Sequence, residues 1–384
     1  MHKSRKITAL ILAAGFSSRM GSFKPLLPLG ETSVIANAVN TFRQAGIQDV
    51  RVVLGHRAVD LLPVLAASNV TAVFNPQYAD EMYLSVIAGL DTFAAGTEAF
   101  FLLPCDMPLV RAHTIKAMQR KFCETDAAII YPTFQGQRGH PPLITAQCFA
   151  SILAWQGQGG LKTLFERFSA QADEVEVPDQ GIIMDMDTPQ DYEAVCNYFS
   201  GKDIPTVQEC EVILHQFQTP KQVITHGQTV AKVACCLAEC LYLVGIKLNK
   251  DLVRAGALLH DMAKTTPNHA RRGARQLMSV GYPNVARVVG AHMDLVFDHS
   301  TALDEKAIVY LADKLVVNEQ IISINKRLHD VRVRFADQSE ALVAATRRMR
   351  TALLIQEKIA HILGIGDFEQ FMACKGETQW TPST

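Results

Sequence analysis

Leu12-Ala13-Ala14-Gly15-Phe16-Ser17-Ser18-Arg19-Met20-Gly21, with Lys24 just beyond, decides the fold of the first half of this chain. It follows the apolar run 7–12, whose length and Ile/Leu content predict a buried strand. A strand, a small-residue turn, then Arg and Lys suit a nucleoside triphosphate. Backbone N–H groups approach phosphate oxygens where side chains are small, and the two cations neutralise the remaining charge. The stretch lacks the G-K-[ST] ending of a P-loop and the three glycines of a dinucleotide turn, which sets both aside.

Outward from this loop, strand-like runs at 50–54, 70–74, 99–103 and 127–131 alternate with helical patterns at 33–45, 59–67, 84–93 and 112–123. That alternation predicts an α/β domain with a mostly parallel sheet, and in such sheets ligands sit beyond the carboxyl ends of the strands. The fourth run ends in Leu103-Pro104-Cys105-Asp106-Met107-Pro108. Asp106 is a candidate Mg²⁺ ligand there, or a turn residue satisfying nearby N–H groups. At Met184-Asp185-Met186-Asp187-Thr188-Pro189 the alternation predicts a short strand over 183–187 with both carboxylates on one side. A cation between them relieves their repulsion; Asp187 and Thr188 also suit the start of a helix near Gln190.

At 384 residues the chain has room for about two domains. Its formal net charge of −1, with no long basic run, gives nucleic-acid binding no electrostatic support. No apolar run reaches the ~18 residues of a membrane span. The basic residues 1–6 followed by 7–14 imitate a signal peptide, but the apolar part is short and Arg19 and Lys24 follow at once, so a first strand is expected. Nine cysteines, an odd number without any C-x-x-C pair, argue against a disulfide framework and a zinc knuckle and predict a reducing, cytoplasmic setting. Cys236 and Cys240 share a helical face and are expected as small buried hydrophobes.

Taken together, residues 1–200 resemble the molybdenum cofactor cytidylyltransferase group of Rossmann-like nucleotidyltransferases. The matches run in the family's order: Leu12 to Lys24; Asn75-Pro76 with Met82, Ser85 and Gly89-Leu90; Cys105 to Pro108; Gly139-His140-Pro141; and Asp185 to Asp191. The resemblance implies Mg²⁺-dependent transfer of a nucleotidyl group from an NTP to a molybdopterin-like phosphate acceptor, with pyrophosphate released. It further implies a molybdenum hydroxylase as client. Leu12, Ala13, Ala14 and Gly15 would form the nucleotide loop, and Arg19 and Lys24 would contact the triphosphate. Asp106 and Asp187 would bind the metal, while Asn75 and Ser85 fall where the family faces base and acceptor. Ala14, where guanylyl-transferring relatives carry a second Gly, points to CTP. Glu81 departs from the family's usual Gly before the Met. His140 is either a structural hinge or an acceptor contact.

Beyond Gly201 and Pro205 strand alternation stops. Helical patterns at 207–217, 228–244, 250–262, 270–280, 285–292, 305–318, 321–331 and 339–363 predict an all-α bundle over 205–370, with a loose polar tail at 371–384. His226 at a helix start, His260-Asp261, His269, His292 and Asp313 stand among apolar residues that a bundle would bury. Buried imidazoles and carboxylates need partners, and several from separate helices can converge on divalent metal. The order H…HD…D resembles the HD superfamily of metal-dependent phosphohydrolases. That resemblance implies a primary ion held by His226, His260, Asp261 and Asp313, and a second ion near His269 and His292. Iron, manganese or another divalent ion would activate water, with Lys264 stabilising the departing charge. His299 and His329 are left as surface residues. Two other readings stay open: transfer to a sugar phosphate or other small phosphate acceptor, and a non-catalytic molybdopterin chaperone with a regulatory HD module.

Overall fold

The computed structural model describes residues 5–156, 159–334 and 338–377. They fall into two compact units, divided between Lys202 and Asp203.

The first unit is built on a mixed, mostly parallel sheet. In chain order its strands and helices are β1 (Ile7–Ala13), the small pair β2 (Pro28–Leu29) and β3 (Thr32–Ser33), α1 (Val34–Gln44), β4 (Asp49–Leu54), α2 (Ala58–Ala67), β5 (Thr71–Phe74) and α3 (Met82–Leu90). There follow β6 (Ala99–Pro104), α4 (Ala112–Glu124), β7 (Ile129–Phe134), β8 (Gln137–Arg138), β9 (Leu143–Thr145), α5 (Phe149–Leu153), α6 (Gly160–Glu166), β10 (Ala172–Glu176) and α7 (Pro189–Gly201). The sheet order is β10-β7-β9-β6-β1-β4-β5, with β8 on β7. β1 is central and parallel to β4 and β6 on either side, while β9 runs antiparallel between β6 and β7. Both faces of β1 are covered, which is why its sequence is a continuous apolar run and not an alternating one. Gly89 lets α3 close onto the sheet, since a Cβ there would lie 2.5 Å from Leu10 Cδ1.

Strands β8, β9 and β10 are too short or too polar for their runs to announce them. The expected strand over 183–187 does not form. A 3₁₀ turn, Gln180–Ile183, leads into an extended segment that pairs with no strand. Gly181 explains the detour: a Cβ there would meet Leu109 O at 2.6 Å, so this backbone packs directly on the loop after β6. Buried Asp179 fixes the segment further, accepting from Arg111 N (2.9 Å), Thr114 Oγ1 (2.5 Å) and Gly181 N (3.2 Å).

The second unit is helical: α8 (Val207–Gln216), α9 (Lys221–Leu243), α10 (Lys250–Leu259), α11 (His269–Ser279), α12 (Pro283–Ala291), α13 (Glu305–Leu315), α14 (Ile324–Arg334), α15 (Ser339–Leu363) and α16 (Phe368–Glu377). A two-residue hairpin, β11 (Val316–Val317) with β12 (Gln320–Ile321), ends α13 earlier than its periodicity predicts. α9 begins at Lys221, so His226 stands in its second turn and not at its start. The tail expected to be loose is helical through Glu377, because Phe368 and Met372 bury against the bundle core; residues 378–384 lie outside the described residues. No helix among the described residues is long and apolar enough to cross a membrane. All nine cysteines are free thiols.

Two outcomes follow from the network at the start of α4. Asp179→Ala strands the groups its carboxylate serves and should lower unfolding free energy by about 3 kcal/mol, read by denaturant titration. His113 is kept neutral by burial and then by Arg111, Arg120 and Lys116, which push its pKa down from 6.5 to about 3. The unfolded chain therefore binds more protons in that window, and stability falls as pH drops through it. Thermal midpoints should decline more steeply from pH 6.5 to 4.5 in the wild type than in His113→Gln.

Candidate functional site

In the first unit the loop after β1 and the loop after β6 meet at the carboxyl ends of two adjacent parallel strands. Ala14 O accepts from His56 N (3.1 Å) and Leu12 O from Cys105 N (2.9 Å), so both loops are pinned by backbone bonds. Gly55 is required here, because a Cβ would lie 2.8 Å from Ala14 O and 2.3 Å from Tyr78 Cβ. Ser17 takes a left-handed conformation (φ 55°), and its hydroxyl accepts from Lys24 N at 3.2 Å. The loop thus turns Lys24 inward.

Lys24 is buried, and its ammonium stands 2.7 Å from Asp187 Oδ1 and 3.5 Å from Asp106 Oδ2. Arg19, largely exposed, reaches Asp187 Oδ2 at 2.7 Å. Met186 N donates to Asp106 O (3.0 Å), which carries the 184–187 segment to the strand end. Burial raises the Asp106 pKa, Lys24 opposes this, and the neighbouring Asp187 charge adds to the rise. Asp185 is exposed and does not join this cluster. A cleft of about 260 Å³ opens beside it, lined by Leu12, Ala13, Ala14, Gly15, Ser17, Lys24, Tyr78, Ser85 and Asp106. Asn75 stands behind the lining: its Nδ2 donates to Ser85 Oγ (2.9 Å) and its Oδ1 accepts from Gln77 N (2.9 Å). It positions Ser85. His140 is half-buried with its pKa lowered by burial, within reach of the Asp106 and Asp185 charges. Two carboxylates converging beside phosphate-sized space are the hard oxygen donors Mg²⁺ takes.

Sequence reasoning missed an aromatic cluster that reaches this cleft through Tyr78. Phe16, half exposed, lies 5.1 Å from the His56 ring and 5.5 Å from the Tyr78 ring. An exposed Phe inside a glycine-serine loop was the available signal.

In the second unit six predicted residues from five helices or their ends converge. His260 caps the end of α10 and Asp261 begins the turn after it, while His292 caps α12 and Asp313 stands near the end of α13. His226 Nε2 lies 3.3 Å from Asp313 Oδ1, and His260 Nε2 lies 3.5 Å from both Asp261 Oδ2 and Asp313 Oδ1. His269 and His292 place Nε2 3.2 and 3.4 Å from Asp261 Oδ1, and 3.2 Å from each other. Two donor sets result, His226-His260-Asp261 and Asp261-His269-His292, with Asp261 common to both.

The donor chemistry fits divalent metal. Nδ1 of His226, His260 and His292 lies 3.1, 2.7 and 2.7 Å from the carbonyls of Asn318, Ala257 and Val289. Each bond puts the proton on Nδ1 and leaves a lone pair on Nε2 facing the centre, the arrangement of metal-bound histidine. His260 Nε2 is sealed from solvent and has no hydrogen-bond partner. Burial opposes charge on His260, but the Asp261 and Asp313 carboxylates facing its Nε2 outweigh it and lift its pKa to about 10; a divalent ion at the centre would take the place of that second proton on Nε2. Asp261 is also buried, yet the imidazoles of His260, His269 and His292 around it hold it far below the usual carboxylate range. The centre draws positive charge. Lys264 pairs with Asp261 at the rim.

Sequence reasoning gave Lys314 no role. It is buried, pairs with Asp313 Oδ2, donates to His292 O (3.1 Å) and lies over the Tyr310 ring. A charge on an otherwise apolar helix was the signal. Arg327 fixes the same turn by donating to Asp313 O at 2.7 Å. His299 and His329 are exposed.

Comparison with known proteins agrees with this division. The MobA-like NTP transferase domain family matches residues 9–175, and the HD domain family matches residues 223–318. A molybdenum cofactor cytidylyltransferase of Escherichia coli (strain K12) is 30% identical over 190 residues, 48% of this chain and 93% of that protein. A tRNA (cytidine(56)-2'-O)-methyltransferase of Picrophilus torridus is 32% identical over 166 residues, 37% of this chain and 47% of that protein, so the chain spans about half its length. A probable molybdenum cofactor guanylyltransferase of Carboxydothermus hydrogenoformans is 25% identical over 215 residues, 52% of this chain and 100% of that protein. With loop, strand-end carboxylate and coverage in agreement, the chain belongs to the MobA-like NTP transferase family, as a homologue of molybdenum cofactor cytidylyltransferase fused to an HD domain.

Proposed function

We propose that the protein is a cytoplasmic bifunctional enzyme. Its first unit transfers the cytidylyl group of CTP to a molybdopterin-type phosphate acceptor, serving a molybdenum hydroxylase client, and its second unit hydrolyses a phosphorylated substrate. The observation that carries the first reading is the Lys24 ammonium between Asp106 and Asp187 beside a cleft walled by the 12–17 loop.

In that transfer an acceptor phosphate oxygen bonds to the α-phosphorus as the bond to the bridging oxygen breaks, and pyrophosphate leaves. Lys24 and Arg19 neutralise the triphosphate, and the loop backbone holds it in line with the acceptor. Mg²⁺ held by Asp106 and Asp187 would add electrostatic stabilisation of the phosphate oxygens. Ala14 in place of a second glycine supports cytidine. Ser85, held by Asn75, stands on the wall where a polar substrate edge would meet it.

In the second unit His226, His260, Asp261 and Asp313 would hold one divalent ion, and Asp261, His269 and His292 a second. Such ions lower the pKa of bound water and polarise phosphoryl oxygens. Lys264, half exposed at the rim, is placed to meet charge on the leaving group.

Incubation with each NTP, Mg²⁺ and molybdopterin, following pyrophosphate, tests the transferase: CTP should give the highest kcat/KM. Asp106→Ala should lower that rate on the order of 10²-fold or more with the melting temperature little changed. Unaltered turnover would remove Asp106 from the machinery. For the second unit, elemental analysis of purified protein should show bound transition metal, and His260→Ala should lose most of it. Chelation should lower the melting temperature of the wild type, since a ligand that binds only the folded state at 100 times its Kd stabilises by about 2.7 kcal/mol.

A further inference from the structure

From Met262 to Met293 the chain contains no Asp or Glu, yet it carries Lys264, Arg271, Arg272, Arg275 and Arg287. This is a local imbalance in a chain of formal charge −1. The segment comprises α11 and α12, and it starts and ends at the metal-ligand set: His269 opens α11 and His292 caps α12. The acids bordering it are committed elsewhere. Asp261 belongs to the centre, and Asp294 is bound by Arg347 and Arg348.

α11 packs through Ala270, Gly273 and Leu277, which leaves Arg271, Arg272 and Arg275 exposed. Among the described residues none of these three guanidinium groups has a hydrogen-bond or ion-pair partner. His269, Arg272 and Arg275 are spaced three apart, so they follow one ridge of the helix and rise ~4.5 Å per step. The foot of that ridge is where the centre opens. His269 is 20% exposed, against 11% for His226, 9% for Asp313, 5% for Asp261 and none for His260 and His292.

We infer that the substrate of the second unit is a small molecule bearing a chain of two or more phosphates. One phosphate sits at the His/Asp centre and the next ones lie along Arg272 and Arg275. This rests on the phosphohydrolase reading of that centre. A lone monoester would engage only the centre and Lys264, leaving the ridge without a role. Guanidinium forks match phosphate oxygens in pairs, and two of them in series match successive phosphates. The ridge is short and the formal net charge of the chain is −1, which favours a small polyanion over a nucleic acid. Hydrolysis forms a bond from water oxygen to phosphorus and breaks the bond to the bridging oxygen; one water proton stays with the products and one passes to solvent. Nucleotidyl transfer consumes a triphosphate and releases pyrophosphate, so both of its small partners belong to this class of anion.

The test uses the intact chain carrying Lys24→Ala throughout, which removes one cation of the first unit's triphosphate cleft from every comparison. Calorimetric titration at fixed free Mn²⁺ compares inorganic tripolyphosphate with orthophosphate, for the parent and for Arg272→Ala/Arg275→Ala. Tripolyphosphate affinity should fall about tenfold or more in the double variant, orthophosphate affinity should stay within about twofold, and Arg272→Lys/Arg275→Lys should recover part of the loss. Phosphate release from tripolyphosphate should show a raised KM with kcat retained. Equal binding of tripolyphosphate by parent and double variant, or equal weakening of both anions, overturns the inference. So does a single-stranded oligonucleotide that outcompetes tripolyphosphate at equal phosphate concentration. Arginine-dependent binding without hydrolysis under any divalent metal upholds the ridge and overturns the phosphohydrolase reading instead.

Discussion

A buried ammonium between two carboxylates is the constraint on which the first unit turns. Lys24 comes from the loop after β1, Asp106 from the end of β6, and Asp187 from the segment before α7. Neither charge type is stable in that cleft alone, so three distant pieces of chain must arrive together. Much of the surrounding structure serves that arrival. Ser17 bends the loop, Gly55 and Gly181 allow backbones to touch, and the Met186–Asp106 backbone bond holds the last piece in place. The sheet supplies rigidity; the ion cluster supplies the reason for its connections.

The second unit meets the same physical demand with different donors. Histidines fixed through Nδ1 to backbone carbonyls aim Nε2 at the centre, where Asp261 and Asp313 concentrate the negative field. Lys314, buried under the centre, offsets part of that field from the core side. His260 and His292 are therefore preorganised by helix ends, where carbonyls are free to accept from side chains, and His226 by the turn between β11 and β12. That is why His260 and His292 both stand at C-caps.

The legible parts of the sequence were those where one residue type can satisfy one demand. The loop glycine and cations, the strand-end Asp106, and the H…HD…D order all announced themselves, because charged or imidazole groups among apolar neighbours need an explanation. The central strands were equally plain, since burial on both faces leaves an unbroken apolar run. What failed to show depended on tertiary partners. The 183–187 alternation imitates a strand, but its partner is a loop held by Gly181 and Asp179. The start of α9 was missed because Pro220 and Lys221 carry no capping signature, and the hydrogen bond by which Asn75 holds Ser85 exists only once the fold brings them together. The helical tail was hidden for a related reason: Phe368 and Met372 are ordinary until the bundle gives them a surface.

Asp261 belongs to two donor sets that differ in how deeply they are built into the fold. The inner set, completed by His226 and His260, is built into the packed bundle, so changing it disturbs the core. The outer set depends on His269, the ligand most open to solvent and the first residue of a surface helix. With both sets filled, a substitution at His269 would remove a donor of the outer ion and leave the inner donors in place, so the number of ions such a centre holds would be decided at its surface and not in its core.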